Sequence, residues 1–464
     1  MVSILIGLAV MAGAGYLIFK KMSPTGILLL AGLLLLAISL LMGRDILGED
    51  MESTGWGWLD SIDFIRYMMT DRIAGLGLMI MILVGFAGYM SHIGANDAVV
   101  RLLIRPLSMF KSPYLVMCVA FLLGCAMTLA VGSATGLGVL LMATFFPIMT
   151  RVGVSKYAAT TICASTASVI ISPVTADVVL AAEKAKEPLI DFGFKQTLPV
   201  SLITLAVLTV LHFFWQRFLD RRALAKEGKE QLDIDEQLAQ SQEDGKITKT
   251  APLWYAILPF LPIILVFVFN GNLAPKLELV TLIIIAIMIA AIIEFIRQKA
   301  RLRKVLDGLE VGYKGMGDAF SSVVMLVIAA SIFAHGLATV GFVDALIGGV
   351  QNAGGAGVLV MIALTVITIV VTITTGSGNS AFYAFVELAP KLASELGVRG
   401  AYLIIPMLEA SNMARPLSPV SGVVVACAGI AKINPLEIVK RASVPSLGAA
   451  VVMVITSMIL VPLH

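Results

Sequence analysis

The chain has 464 residues, of which 59% are hydrophobic and only 14% are charged. Soluble proteins carry about 25% charged residues, so the composition excludes an ordinary soluble domain and indicates a protein embedded in lipid. The formal net charge of +3 is too small to indicate a nucleic-acid partner. The four cysteines lie in apolar runs and form no CxxC pair, so we expect small buried side chains and no metal site.

The first half of the chain begins with three apolar runs, each near the roughly 20 residues that a helix needs to cross the hydrocarbon core. These predicted spans are 3–19, 24–42 and 75–93. A hairpin of two helices around the sequence GSATG follows at 113–150, then a helix broken by proline at 156–182 and a closing span near Pro199. The first run has no basic region before it, so we predict a retained helix rather than a signal peptide.

The second half repeats this order. GSATG begins at residue 132 and GSGNS at 376, which is 244 residues later; ASTASVIISPVT begins at 164 and ASNMARPLSPVS at 410, which is 246 later. The corresponding spans are 252–269, 279–296 and 319–342, followed by a hairpin at 353–396, a broken helix at 400–430 and a closing span near Pro445. A repeat of this length means two copies of a multi-helix unit. We therefore predict a first repeat at 1–219 and a second at 252–464, joined by a cytoplasmic linker at 220–251.

The distribution of basic residues predicts how these elements cross the membrane. If both Gly-Ser hairpins are re-entrant, each half crosses five times, and the odd number inserts the second half upside down. Of the 33 lysines and arginines, 23 then lie on the cytoplasmic side, nine lie outside and one, Arg415, lies within the membrane, as the positive-inside rule requires. We therefore predict an all-α integral membrane fold of two inverted repeats, with about ten transmembrane helices, two re-entrant hairpins, two broken helices and both termini outside.

Four polar interruptions of apolar sequence form the candidate binding site. Irregular backbone at membrane depth survives only where protein or a water-filled cavity surrounds it, and the N-terminus of a half-helix attracts anions. Transporters with inverted repeats bind their substrates at such discontinuous helices. The candidate residues are Ser133, Ala134, Thr135, Ser165, Thr166, Ser172, Ser377, Gly378, Asn379, Ser411, Asn412, Arg415 and Ser418. The alternative is that these small residues only allow helices to pack closely.

Arg415 is the outstanding ionisable residue, because charged side chains inside a membrane are costly and usually functional. Its guanidinium can bind a carboxylate through two parallel hydrogen bonds. The alternative is a structural ion pair with Glu409 or Glu387. Glu387, Glu409 and Asp177 are the candidates for coupling to a cation. The sequence contains no HExxH, Walker or GxSxG motif, so we expect no enzymatic activity.

With these motifs, the sequence resembles the DcuC family of anaerobic four-carbon dicarboxylate carriers, over essentially the whole chain. The stretches that carry the resemblance are SPTGILLLAGLLLL from Ser23, MSHIGAND at 90–97, GSATGLGVLLMAT at 132–144, SPVTADVVLAA at 172–182, TTGSGNSAFYAFVE at 374–387 and ASNMARPLSPVSGVVVA at 410–426. The resemblance implies a secondary carrier of the bacterial inner membrane that exports succinate and exchanges or takes up fumarate. It also implies the ion transporter superfamily fold, in which a transport domain moves like an elevator against a scaffold domain in a homodimer, without a cofactor.

The sequence leaves alternatives open for the coupling ion and for the transported substrate. Related carriers of the superfamily have Ser-Asn-Thr at both hairpin tips, often with sodium. Here the tips are Ser133-Ala134-Thr135 and Ser377-Gly378-Asn379, which favours proton coupling or exchange over sodium coupling. The same fold could carry another organic anion, such as citrate or an amino acid. A channel or membrane sensor would need a continuous pore or a soluble output domain, and the sequence supplies neither.

The topology is tested by labelling single introduced cysteines in intact cells with a membrane-impermeant thiol reagent. We expect His464→Cys to be labelled in intact cells, because both termini are predicted outside. Asp235→Cys, in the predicted cytoplasmic linker, should react only after permeabilisation, which also serves as the control for its reactivity. The reverse pattern would contradict the inverted-repeat topology.

Overall fold

The computed structural model describes residues 2–20, 22–47, 51–107, 112–173, 175–227, 251–269, 274–342 and 356–463. Within these ranges the regular secondary structure is entirely helical. Eight helical stretches of the described chain are long and apolar enough to cross a membrane by length and composition. The chain is therefore an all-α protein with the helices of a multi-pass membrane protein. Most of the predicted linker, the first residues of the predicted hairpin at 353–396 and residue 464 lie outside the described residues.

Helices α1 to α10 make up the first half of the chain. They are α1 Val2–Phe19, α2 Pro24–Leu41, α3 Gly57–Arg72, α4 Leu78–His92, α5 Ala95–Leu107, α6 Pro113–Met127, α7 Ala134–Arg151, α8 Lys156–Ser165, α9 Ala176–Ala185 and α10 Leu198–Glu227. Helices α6 and α7 correspond to the predicted hairpin, and α8 and α9 to the predicted broken helix. Between α8 and α9 the chain forms a 3₁₀ turn and then non-helical backbone.

Within the described residues, the second half of the chain contains a 3₁₀ segment and helices α11 to α20. They are a 3₁₀ segment Leu253–Phe260, α11 Leu261–Val268, α12 Leu279–Arg297, α13 Leu302–Ala319, α14 Met325–Thr339, α15 Ala356–Thr375, α16 Gly378–Val386, α17 Ala389–Leu396, α18 Gly400–Met413, α19 Gly422–Ala431 and α20 Pro435–Leu460. The second broken helix opens at a 3₁₀ turn, Arg415–Leu417.

Six of the ten predicted spans coincide with long apolar helices; the other two long helices, Ala134–Arg151 and Gly357–Thr375, are arms of the hairpins. The predicted spans at 3–19 and 252–269 contain shorter apolar helices, and the remaining two are the broken helices. Helix length alone does not separate a re-entrant arm from a full crossing, so the sidedness remains a prediction.

The third span of each half is the second part of a longer helix. Helix α3 continues into α4 through a π-helical turn, Ile73–Gly77, and α13 continues into α14 through another, Phe320–Val324. The two turns pack together, because a Cβ atom added to Gly77 would lie 2.9 Å from Cγ1 of Val324. The long helices therefore cross at corresponding points of the two halves.

Backbone caps recur at the spacing of the sequence repeat. Helices α9 and α19 end at left-handed lysines, Lys186 with φ 57° and Lys432 with φ 51°, and these are 246 residues apart. Gly153 and Gly397, 244 apart, have φ values of 96° and 65° after the two hairpins. An observed left-handed residue at matching positions indicates that both halves end these helices in the same way.

A buried ion pair joins α10, the last helix of the first half, to α20, the last helix of the second half. Nη1 of Arg441 donates to Oδ1 of Asp220 at 2.7 Å and to Oε1 of Gln216 at 3.1 Å. The hydroxyl of Ser155 donates to the same Asp220 oxygen at 2.7 Å. The side chains of Arg441 and Asp220 are only 6% and 7% exposed, so neither charge has water as a substitute partner.

Removing one member of this pair should destabilise the fold. Arg441→Ala leaves the Asp220 carboxylate buried without its cation, and we expect the free energy of unfolding to fall by about 3–5 kcal/mol. The measurement is thermal unfolding of the purified protein in detergent. Lys440→Ala is the matched control, because the Lys440 side chain is 62% exposed and its pair with Glu437 spans 3.7 Å; it should cost less than about 1 kcal/mol. Equal losses in both variants would contradict the role of the buried pair.

Candidate functional site

A cavity of about 960 Å³ lies where the hairpin tips meet the broken helices. Its size is within the range of small-molecule sites. Nine of the thirteen predicted binding residues line it, namely Ser133, Ala134, Thr135, Ser172, Ser377, Gly378, Asn379, Asn412 and Arg415. The structure thus brings the two tips, about 244 residues apart in the sequence, to one place. Their role in binding remains a prediction.

The other four predicted residues, Ser165, Thr166, Ser411 and Ser418, are buried outside the cavity lining. The hydroxyl of Thr166 donates to the Cys163 carbonyl at 3.2 Å, and that of Ser411 to the Leu408 carbonyl at 2.8 Å. These two side chains bond their own helices, which is a packing role. The structure therefore does not support direct contact of the four with a molecule in this cavity.

Four helices begin at the cavity, and each N-terminus carries unpaired amide N–H groups and about half a positive charge. The N-cap residues of α7, α9, α16 and α19 are Ser133, Thr175, Ser377 and Ser421, and all four line the cavity. Ser133 and Ser377 cap their helices, accepting from the amides of Gly136 and Ser380 at 3.1 and 3.2 Å. Thr175 and Ser421 form no such bond, so the first amides of α9 and α19 can bind an anion.

The second hairpin tip packs directly against the second broken helix. A Cβ atom added to Gly378 would lie 2.3 Å from the Ser411 carbonyl oxygen and 2.7 Å from Nε of Arg415. Gly376 has a φ of 76°, and a Cβ there would lie 2.8 Å from the Val420 carbonyl group. Both positions need glycine, the first because of close approach and the second also because of its left-handed backbone. The tip and the broken helix are therefore fixed relative to one another.

Arg415 brings a guanidinium group to this junction, with its side chain 15% exposed. Its Nη2 donates to Oδ1 of Asn379 and lies 3.8 Å from Oδ2 of Asp177. The other oxygen of Asp177 accepts a hydrogen bond of 2.5 Å from the hydroxyl of Tyr383. Sequence reasoning missed Tyr383, although it lies one turn after Asn379 on α16 and therefore on the same face of that helix.

The ion pairs predicted as the alternative for Arg415 are wrong. Glu409 is fully buried and accepts from the Ser201 hydroxyl at 2.6 Å, and Glu387 pairs with Nζ of Lys184 at 2.7 Å. Neither carboxylate lines the cavity. Of the three predicted coupling candidates, Asp177 alone is a lining residue. Among the described residues, no group of three or more His, Cys, Asp or Glu side chains could hold a metal ion.

The close approach at the second tip predicts a large difference between two glycine substitutions. Gly378→Ala should lower the free energy of unfolding by about 1–3 kcal/mol, because the added methyl group overlaps backbone and guanidinium atoms. Gly429→Ala in α19 is the control, since nothing lies within 4 Å of a Cβ there and alanine favours a helix. Thermal unfolding of both variants in detergent measures the difference. A Gly378→Ala protein as stable as the Gly429→Ala protein would contradict the tight junction.

Comparison with known proteins gives matches along the whole chain. The DcuC family model, described as "C4-dicarboxylate anaerobic carrier", matches residues 2–462. The chain is 50% identical over 461 residues to the anaerobic C4-dicarboxylate transporter DcuC of Escherichia coli strain K12, covering 99% of this chain and 97% of the relative. It is 48% identical over 466 residues to the probable anaerobic C4-dicarboxylate transporter DcuC of Vibrio cholerae serotype O1, covering 100% and 99%.

Two solved structures share the fold at low sequence identity. The YdaH transporter of Alcanivorax borkumensis superposes with a TM-score of 0.59 at 15% identity, covering 95% of this chain and 98% of the other. MtrF of Neisseria gonorrhoeae, from a class described as antimetabolite efflux pumps, gives a TM-score of 0.63 at 14% identity, covering 95% and 94%. These likenesses show the fold alone, whereas the match over residues 2–462 and the 50% identity show the family. The chain belongs to the DcuC family.

Proposed function

We propose that the chain is a secondary carrier that moves four-carbon dicarboxylates, such as succinate and fumarate, across the bacterial inner membrane. The observation that carries this proposal is one cavity that receives the guanidinium of Arg415 and the N-termini of four helices. Every one of these groups favours a negative charge. The DcuC relatives, named as C4-dicarboxylate transporters at 48–50% identity, support the substrate class.

Each carboxylate of the substrate has a different partner in this proposal. An arginine has five N–H donors, and among the described contacts Arg415 donates a hydrogen bond only through Nη2, to Asn379. The remaining donors bind one carboxylate. The second carboxylate binds the first amides of α9 and α19 together with the hydroxyl of Thr175, which is buried and has no partner within the described chain.

The movement proposed is of the elevator type. Helix α2 packs on α14 and α4 packs on α13, whereas α10 packs on α20 and α15 on α18. The first group supplies a scaffold domain, and the second, with the hairpins and broken helices, supplies a transport domain. The departures from Ser-Asn-Thr at both tips favour coupling to protons or exchange over coupling to sodium. A homodimer, with both termini outside and no enzymatic activity, completes the proposal.

Substitution of Arg415 tests the substrate site. Arg415→Ala should weaken succinate binding by at least about 2–3 kcal/mol, comparable to losing a hydrogen bond to a charged group. The measurement is transport of labelled succinate into proteoliposomes. Arg415→Lys keeps the charge but loses the planar fork, so the apparent affinity should fall while transport remains measurable.

The control is Arg399→Ala, because Arg399 pairs with Glu187 at 2.5 Å and does not line the cavity. Its apparent affinity for succinate should stay near that of the wild type. An Arg415→Ala protein that is folded and transports succinate with wild-type affinity would overturn the assignment of this guanidinium to the substrate.

A further inference from the structure

The cavity contains a carboxylate of the protein itself beside the guanidinium that the proposed function assigns to the substrate. Oδ2 of Asp177 lies 3.8 Å from Nη2 of Arg415, and the two side chains are 16% and 15% exposed. This separation is too long for a hydrogen bond but short enough for electrostatic attraction. Asp177 therefore neutralises Arg415 without occupying its hydrogen-bond donors.

Helix α16 holds both members of this ion pair in place. Its Asn379 accepts from Nη2 of Arg415, and its Tyr383 donates to Oδ1 of Asp177 at 2.5 Å. Tyr383 is 1% exposed, so its ring is fixed by packing. The pair joins the two halves of the chain, because Asp177 begins the second part of the first broken helix and Arg415 lies at the opening of the second.

The ionisable groups around the pair are few. Asp97 of α5 and Asp318 of α13 also line the cavity, and within the described chain neither forms an ion pair with Arg415. At the far end of α9, Glu183 and Lys184 pair with Arg72 and Glu387. Asp177 is therefore the carboxylate that compensates the charge of Arg415.

A carrier that performs net transport, rather than exchange alone, must move its binding site between the two sides of the membrane both with and without substrate. When a dicarboxylate is bound, the substrate supplies negative charge to Arg415. When the cavity is empty, an arginine without a counter-charge at membrane depth is strongly disfavoured. Some other negative group must then take the place of the substrate.

We propose that Asp177 is that group: an internal substitute for the substrate carboxylate, positioned by Tyr383, which lets the empty carrier return across the membrane. This inference rests on the proposed function and deepens it, because it assigns the return of the empty carrier to a named ion pair. Removal of the Asp177 charge should therefore turn a carrier capable of net transport into an exchanger.

The test compares two transport modes of the full chain in proteoliposomes with labelled succinate. Exchange is measured with succinate on both sides, and net uptake with succinate outside only. In Asp177→Asn, exchange should stay within about threefold of wild type while net uptake falls at least about tenfold further, because only the empty carrier has an unpaired arginine. Asp177→Glu restores the charge and should restore net uptake.

Two further variants serve as a second test and as a control. Tyr383→Phe removes the hydroxyl that holds Asp177, so the ratio of net uptake to exchange should fall in the same direction by a smaller factor. Asp318→Asn removes a carboxylate of the same cavity that does not pair with Arg415, and its ratio should equal that of the wild type. If Asp177→Asn protein does not fold, Tyr383→Phe decides alone.

An unchanged ratio in Asp177→Asn, or in Tyr383→Phe where that variant decides, would overturn the inference. Equal loss of exchange and net uptake would also overturn it, because Asp177 would then serve substrate binding or the fold. Wild-type protein that exchanges succinate but shows no net uptake would overturn it as well, because the empty carrier would then not return. Wild-type protein that moves no succinate in either mode would overturn the proposed function itself, and this result is distinct from the others.

Discussion

The structure depends on the free-energy cost of unpaired polar groups at membrane depth. Each opened helix leaves its first amides without partners inside the helix, and hydrocarbon offers no substitute. Here four helix N-termini meet around one cavity, so that water or an anionic ligand can satisfy their N–H groups. At the second hairpin tip, Gly376 and Gly378 let the chain pack closely against the backbone of the second broken helix. This cavity is thus the place where an otherwise unfavourable backbone becomes tolerable.

Much of the fold could be predicted from the sequence because apolar length and proline act locally. Both broken helices open at the predicted segments, and six predicted spans are long helices. The π-helical turns that join α3 to α4 and α13 to α14 could not be predicted, since no residue preference marks them. They lie where the two long helices pack against each other.

The site was harder to predict than the fold, because its contacts join distant parts of the chain. The sequence alone offers Glu387 and Glu409, in the same half as Arg415, as its pairing partners. The structure instead places Asp177, from the other half, beside the guanidinium. Tyr383 lies 206 residues from Asp177, in an apolar segment that gives no sign of a polar role. Composition and spacing show which polar residues lie within apolar segments. Only the packing of the two halves shows which of these residues contact one another.

The repeat also explains why a two-ended anion suits the cavity. At the repeat offset of 246, Arg415 corresponds to Val169, and Asp177 corresponds to Val423; both valines line the same cavity. The backbone contribution is therefore paired between the halves, while Arg415 and Asp177 have no charged counterpart at the repeat offset. The paired helix N-termini offer two places for negative groups, and the guanidinium of Arg415 makes one of them stronger than the other. In the proposed mode of binding, one carboxylate is held by the guanidinium and the other by backbone amides, which leaves the second end easier to release.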